Sequence, residues 1–203
     1  MDSGAGIFVE LTDPSDENNY YFWRNDPSVY LLQTRSDLFF NRTTMMLEPK
    51  DCCTRCFNHE TTGNTSYSLT NDETFEGLKI ILKVPFIPDN GLRFIEIYRM
   101  DLNQLSITAE AYRFLHLVKQ QSETTGSVFD PPPANIRGNM LGPDTPDEVV
   151  LGYFMVAGET ERRIYIFGDE LEFPQPVSLI LNDCRLVDTI TSAPPVDWNV
   201  VRD

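Results

Sequence analysis

At 203 residues the chain suits one large domain, and 41% apolar with 11% aromatic residues exclude a disordered polymer. A formal charge of −15 excludes a nucleic-acid partner and disfavours an anionic membrane face, since both demand a positive surface. No apolar run approaches the ~20 residues that cross a bilayer, because Lys79, Lys83 and Pro85 interrupt the longest one, Leu78 to Phe86.

The opening Met1-Asp2-Ser3-Gly4-Ala5-Gly6 has neither a basic nor an apolar leader stretch, so an exported parent would contribute this chain as a piece of itself. Period-two alternation then dominates, and alternation means strands. Ile7–Thr12, Asn19–Arg24 and Val29–Thr34 are predicted strands, separated by turns at Asp13-Pro14-Ser15-Asp16-Glu17-Asn18 and Asn25-Asp26-Pro27-Ser28. The aromatic run Tyr20-Tyr21-Phe22-Trp23 points to both faces of its strand. Core on both sides is the plainer reading, and a surface made by Tyr20, Tyr21 and Trp23 for stacking a sugar or planar ligand is the functional one.

Three cysteines follow, Cys52, Cys53 and Cys56, and the fourth, Cys184, lies far downstream. An even count suits disulfides in an oxidising compartment, and a bridge from the cluster to Cys184 would close a loop of ~130 residues, a constraint of ~4–5 kcal/mol in the chain-entropy model. A zinc site that borrows His59, a redox-active Cys53-x-x-Cys56 and free buried thiols are the alternatives. Asn58 to Asn71, rich in Thr, Asn and Ser, reads as a mobile loop.

Leu78, Ile80, Leu82, Val84 and Phe86 alternate with lysines as a half-buried strand. Pro88-Asp89-Asn90-Gly91 reads as a turn into a second strand, Leu92–Met100, making a hairpin. An amphipathic helix near 108–124 has Thr108 as its cap, Glu110 at its positive end, and Ala111, Phe114, Leu115 and Val118 on one stripe. Gly126 is placed to end it. Pro131-Pro132-Pro133 forces an extended path, and the surrounding loop would present Phe129, Asp130, Arg137 and Asn139 to a docking partner, or else tuck in as a connector. A second hairpin joins Val149–Val156 to Arg162–Phe167 through Gly158-Glu159-Thr160-Glu161, and Val177–Leu181 is a weaker strand. Together these give a mainly β domain spanning 1–203, with antiparallel sheets arranged as a sandwich or partly open barrel and one helix.

Motifs for chemistry are sparse. The only histidines are His59 and His116. His59-Glu60-Thr61-Thr62-Gly63 begins like a zinc-protease helix but puts glycine where the second ligand belongs, and His116 sits in the helix as a structural or exposed residue. No nucleophile elbow, phosphate loop or dinucleotide fingerprint occurs. A glycosidase-type carboxylate pair would be invisible among 31 acids. The acidic turns Asp13…Asp16-Glu17 and Asp144…Asp147-Glu148 offer oxygens to Ca²⁺ but lack the alternating order of calcium loops, so they are expected to be solvated turns and no cofactor is expected.

Several motifs occur in one order: Val9-Glu10-Leu11-Thr12-Asp13-Pro14, Asn19-Tyr20-Tyr21-x-x-Arg24, Ser106-Ile107-Thr108-x-Glu110-Ala111-Tyr112, Gly126-Ser127-x-Phe129-Asp130-Pro131-Pro132, Arg137-Gly138-Asn139 and Val150-Leu151-Gly152-Tyr153-Phe154. In that order they resemble a Bacteroidota lipoprotein family classed as a domain of unknown function, often encoded beside SusC/RagA-like TonB-dependent receptors. The resemblance implies the C-terminal half of a larger surface lipoprotein, lipid-anchored at the outer membrane, and also supports the disulfide reading. It further implies a non-catalytic accessory or ligand-binding component of an uptake system, with the TonB-dependent receptor as partner and a small-molecule, glycan or peptide ligand. A surface hydrolase and a structural or adhesive protein are the rivals. No catalytic residue carries over.

Overall fold

A computed structural model describes residues 3–14, 17–33, 37–50, 53–61, 67–73, 77–123, 136–143, 150–177, 184 and 189–200. The β1 strand (Gly4–Thr12) leads to β2 (Tyr20–Gln33), whose 14 residues form the spine of the molecule. A small hairpin, β3 (Leu38–Asn41) and β4 (Met46–Pro49), comes next, followed by β5 (Arg55–Glu60), β6 (Tyr67–Asn71), β7 (Lys79–Pro88) and β8 (Ile97–Ser106). The helix α1 (Ala109–Glu123), β9 (Gly158–Phe167), a 3₁₀ turn at Gly168–Glu170 and β10 (Ile190–Thr191) complete the described elements.

These strands make a sandwich that does not close into a barrel. The main sheet runs β10-β5-β2-β8-β9, and β6 shares an edge of β2 with β5. β6 takes Tyr20–Arg24 and β5 takes Ser28–Gln33, while β8 pairs along the opposite edge. Every pairing is antiparallel. A separate ribbon of β1 and β7 lies across one face, where Ala5, Ile7, Val9, Leu11, Leu82 and Val84 pack against Tyr21, Trp23, Tyr30, Tyr98, Met100 and Leu102.

Two bulges make that packing possible. The β2–β8 register shifts between Asn25 and Ser28, where Pro27 has no N–H to give the ladder. The extra residue inverts the side-chain parity, so Tyr21 and Trp23 before it share a face with Tyr30 after it. The ribbon repeats the device around Pro85. Its register slips between Gly6 and Phe8, so that Val84 and Ile87 both point inward and Phe86 points out.

The opposite face of the main sheet has two covers. The helix packs Ala111, Tyr112 and Leu115 over Phe22, Leu105 and Tyr67 at one end. At the other end Trp198 covers Val29, Leu31 and Phe57. Thr108 caps the helix as expected, its Oγ1 accepting from the Ala111 N–H at 3.2 Å. The helix is described as far as Glu123, and Gly126 lies outside the described residues.

The structure corrects several expectations. The turn predicted at Asn25–Ser28 is the bulge, so the two flanking strands are one. Strand β7 does not pair with β8; its partner is β1, and residues 89–96 cross between the layers instead of closing a hairpin. The turn chemistry there is nonetheless real. Asp89 Oδ1 accepts from Gly91 N at 2.8 Å, Asn90 Oδ1 accepts from Leu92 and Arg93 N, and Gly91 adopts φ 76. The second hairpin also fails: residues 150–157 form no strand, and the supposed turn at Gly158–Glu161 is the start of β9. That turn was drawn off because β8 offers a partner for all ten residues from Gly158 to Phe167. The loop expected over Asn58–Asn71 contains the end of β5 and all of β6, recruited by the long edge of β2. Hairpin β3–β4 was not foreseen, and of Val177–Leu181 only the exposed, non-strand Val177 lies among the described residues.

Cys56 is bonded to Cys184 across a sequence separation of 128, both side chains being almost fully buried in the main core. Replacing both by serine is expected to lower the unfolding free energy by about 4–5 kcal/mol in urea titrations, the loop-closure value for a span this long. Equal stability of oxidised and reduced wild-type protein would contradict that expectation.

Candidate functional site

Of the cysteines, Cys53 is also disulfide-bonded, and no free thiol is present among the described residues. This replaces the zinc and redox alternatives for Cys53, Cys56 and Cys184; Cys52 itself lies outside the described residues. Phe129 and Asp130 of the supposed docking loop also lie outside them. Asn139 is exposed, and its side chain also has a structural task. Its amide donates to the Phe154 carbonyl at 2.7 Å and accepts from the Phe154 N–H at 2.8 Å, clamping residues 136–140 to residues 150–157. Arg137 is exposed.

The aromatic surface is overturned. Tyr21 and Trp23 are 5% and 2% exposed, inside the core facing the ribbon, and Tyr20 packs with Tyr112 on the helix side at 5.2 Å. The bulge explains this, since both faces of β2 are covered. Asp13 is likewise no solvated turn. It is 3% exposed, accepts the Tyr21 hydroxyl at 2.7 Å and the Gly77 N–H at 3.3 Å, and so its oxygens are spent on the protein. Asp72, 2% exposed, accepts the Asn19 N–H at 2.5 Å beside it. Burial, reinforced by Asp13, raises the Tyr21 phenol well above its ordinary range. Among the described residues no group of three His, Cys, Asp or Glu side chains gathers as metal ligands; Asp16, Asp144, Asp147 and Glu148 lie outside them. His59 is exposed on β5, and His116 is exposed and stacks on Tyr112 at 5.8 Å.

Two polar constellations escaped the sequence reading. On the outer face of the sheet, β8 and β9 set Asp101 opposite Arg163, which forks onto it at 2.7 and 3.0 Å. Arg163 also reaches Asp197 at 2.8 Å, and Asp197 accepts from the buried Arg99 at 2.9 Å. The Arg99 guanidinium lies 5.7 Å from the Trp198 ring. Asp101 holds Arg163 firmly charged, and Arg99 keeps the Asp197 carboxyl below its usual range. This network fastens residues 197–198 onto the sheet; it is a latch. The signal for it was the i, i+2 spacing of Arg99 and Asp101 on one strand face.

The second constellation is a cleft of about 260 Å³ where β2, β6, β7 and the end of α1 converge. Leu102, Val84 and Pro85 help to line it, with Trp23, Tyr67 and Phe86 as its rings. Of the three residues proposed as an aromatic surface, Trp23 alone reaches this cleft, and its Nε1 already donates to Gln104 at 3.2 Å. Arg24 stands on the rim, 3.6 Å from Glu159. Lys119 Nζ donates to the Tyr67 carbonyl at 3.2 Å and lies 5.9 Å from the Tyr67 ring centre. Glu123 supplies a carboxylate, and burial followed by that charge raises the Tyr67 phenol. The Tyr67 hydroxyl donates to the Leu115 carbonyl at 2.6 Å, which fixes helix against strand at the cleft wall.

The chain belongs to the family described as Domain of unknown function (DUF4249), whose model matches residues 2–163. No curated protein and no solved structure shows a detectable match to it. No helix among the described residues is long and apolar enough to cross a membrane.

Two outcomes follow from this geometry. Asp101→Asn is expected to cost about 2–3 kcal/mol in urea unfolding, below the value for a fully buried pair because Arg163 touches solvent. The double variant with Arg163→Met should be less than additive, and additivity would show that the pair is not coupled. Burial pushes the Tyr98 phenol up to about 12 from 10.0. The folded state therefore favours the neutral form, so this contribution is intact below pH 10.0 and is lost as pH climbs through about 12. Tyr98→Phe should flatten the alkaline fall in stability by about 1.4 kcal/mol per pH unit across that window.

Proposed function

We propose that the chain is the ligand-capturing domain of an outer-membrane surface lipoprotein from Bacteroidota, serving a TonB-dependent uptake system without catalysing a reaction. The cleft beside Tyr67 carries the reading. There, cationic donors on Arg24 and Lys119 and an acceptor on Glu123 interleave with the rings of Tyr67 and Phe86. Oligosaccharides ask for that combination, because their hydroxyls need charged or polar partners and their C–H faces settle on aromatic rings. The Cys56–Cys184 bridge supports an oxidising, extracytoplasmic compartment. The ordered motifs from Val9 to Phe154 support the link to a receptor.

The full-length lipidated parent, cross-linked in membranes and purified, is expected to bring a TonB-dependent barrel with it in comparable amount. Recovery with no barrel would remove the uptake role. On a glycan array, the isolated chain should retain a defined subset of oligosaccharides. Arg24→Glu with Lys119→Glu should lower that signal about tenfold, the loss of one good charged hydrogen bond. Shortening of the retained glycan would favour the hydrolase reading instead.

A further inference from the structure

On another stripe of α1 lies a second hollow, of about 380 Å³, which the cleft reading neither uses nor requires. Glu110, Arg113, Phe114 and Leu117 recur at i, i+3, i+4 and i+7 and so form one wall of it. The other wall comes from Ile136, Arg137 and Gly138, with Tyr153 from the neighbouring segment. That wall is held in place. A Cβ at Gly138 would lie 1.5 Å from the Gly152 carbonyl oxygen, so the two segments cross in contact, and Asn139 clamps them one residue further on. The rings of Phe114 and Tyr153 meet at 5.0 Å and bridge the walls as an apolar floor.

Local charge in this hollow runs against the balance of the chain as a whole. The chain carries −15 overall, yet two guanidiniums flank an apolar floor here. Arg113 is partly committed, 3.3 Å from Glu110. Among the described residues, Arg137 takes no part in ion pairs like those that hold Arg24, Arg55, Arg93, Arg99 and Arg163. A planar guanidinium fork matches a carboxylate in two parallel hydrogen bonds. Glu110 on the rim and the acidic surroundings penalise a more highly charged anion.

We propose that this hollow binds a small monocarboxylate with an aliphatic or aromatic body. Its carboxylate sits on Arg137, with Arg113 beside it, and its body lies over Phe114, Tyr153 and the half-exposed Leu117. The volume falls in the range of small-molecule sites, about 300–1,000 Å³.

Titration of ¹⁵N-labelled protein with 4-phenylbutyrate, and separately with 4-phenylbutylamine and 4-phenylbutanol, tests this. Saturable amide shifts confined to residues 110–117, 136–138 and 153 are expected for the acid, with the alcohol and the amine weaker. Arg137→Gln, an exposed change that should leave the thermal midpoint alone, is expected to weaken the acid about tenfold by removing its charged hydrogen bonds. Arg24→Gln, at the separate cleft, should not alter it. Equal response to the amine, shifts that never saturate, or unchanged binding in Arg137→Gln would each overturn the proposal.

Discussion

The side-chain parity of β2 governs this molecule. A regular strand of 14 residues with one edge shared by β6 and β5 and the other held by β8 would send the aromatic residues of its two halves to opposite faces. The bulge between Asn25 and Ser28 rotates the second half back into phase, and Tyr21, Trp23 and Tyr30 then form one continuous surface for the ribbon. Pro27 marks where the ladder can open without stranding a donor. Pro85 does the same on the ribbon, and the two layers meet because both made the same correction.

The sheet that results is covered on both faces, which explains its unusual load of buried polar groups. Asp13 and Asp72 tie the strand ends together with backbone and phenol donors, and Arg99 and Asp101 serve the opposite face through Arg163 and Asp197. Groups of this kind are costly without partners, and each of these four has one. Acidic composition is therefore more than a solubility device in this chain: a share of the carboxylates is internal wiring.

Local patterns were legible in the sequence, and long-range pairing was not. Thr108 and the stripe from Ala111 to Val118 placed the helix, because caps and period depend on neighbours within one turn. Alternation found β1, β7 and the two halves of β2. It could not say that β7 would turn to β1, since a strand between two turns looks the same whichever partner it takes. Asn58–Asn71 looked like a loop because Thr, Asn and Ser are turn formers, yet the waiting edge of β2 drew its two ends into the sheet. The candidate sites fared worse for the same reason. Arg24, Tyr67, Phe86 and Lys119 share a cleft although they come from distant parts of the chain, and Asn139 proved to be a backbone clamp whose partner is fifteen residues away.

The bond between Cys56 and Cys184 has a consequence for how the chain responds to proteolysis. It encloses the helix, β6 to β9 and every segment between them in one covalent ring. A cut between strands inside that ring opens it without releasing a fragment: the two pieces stay joined through sulfur, and the pairing of β2 with β5 and β8 is left untouched. Such a nicked molecule would travel as one species until a reductant arrived, so its first cleavage would shed no piece.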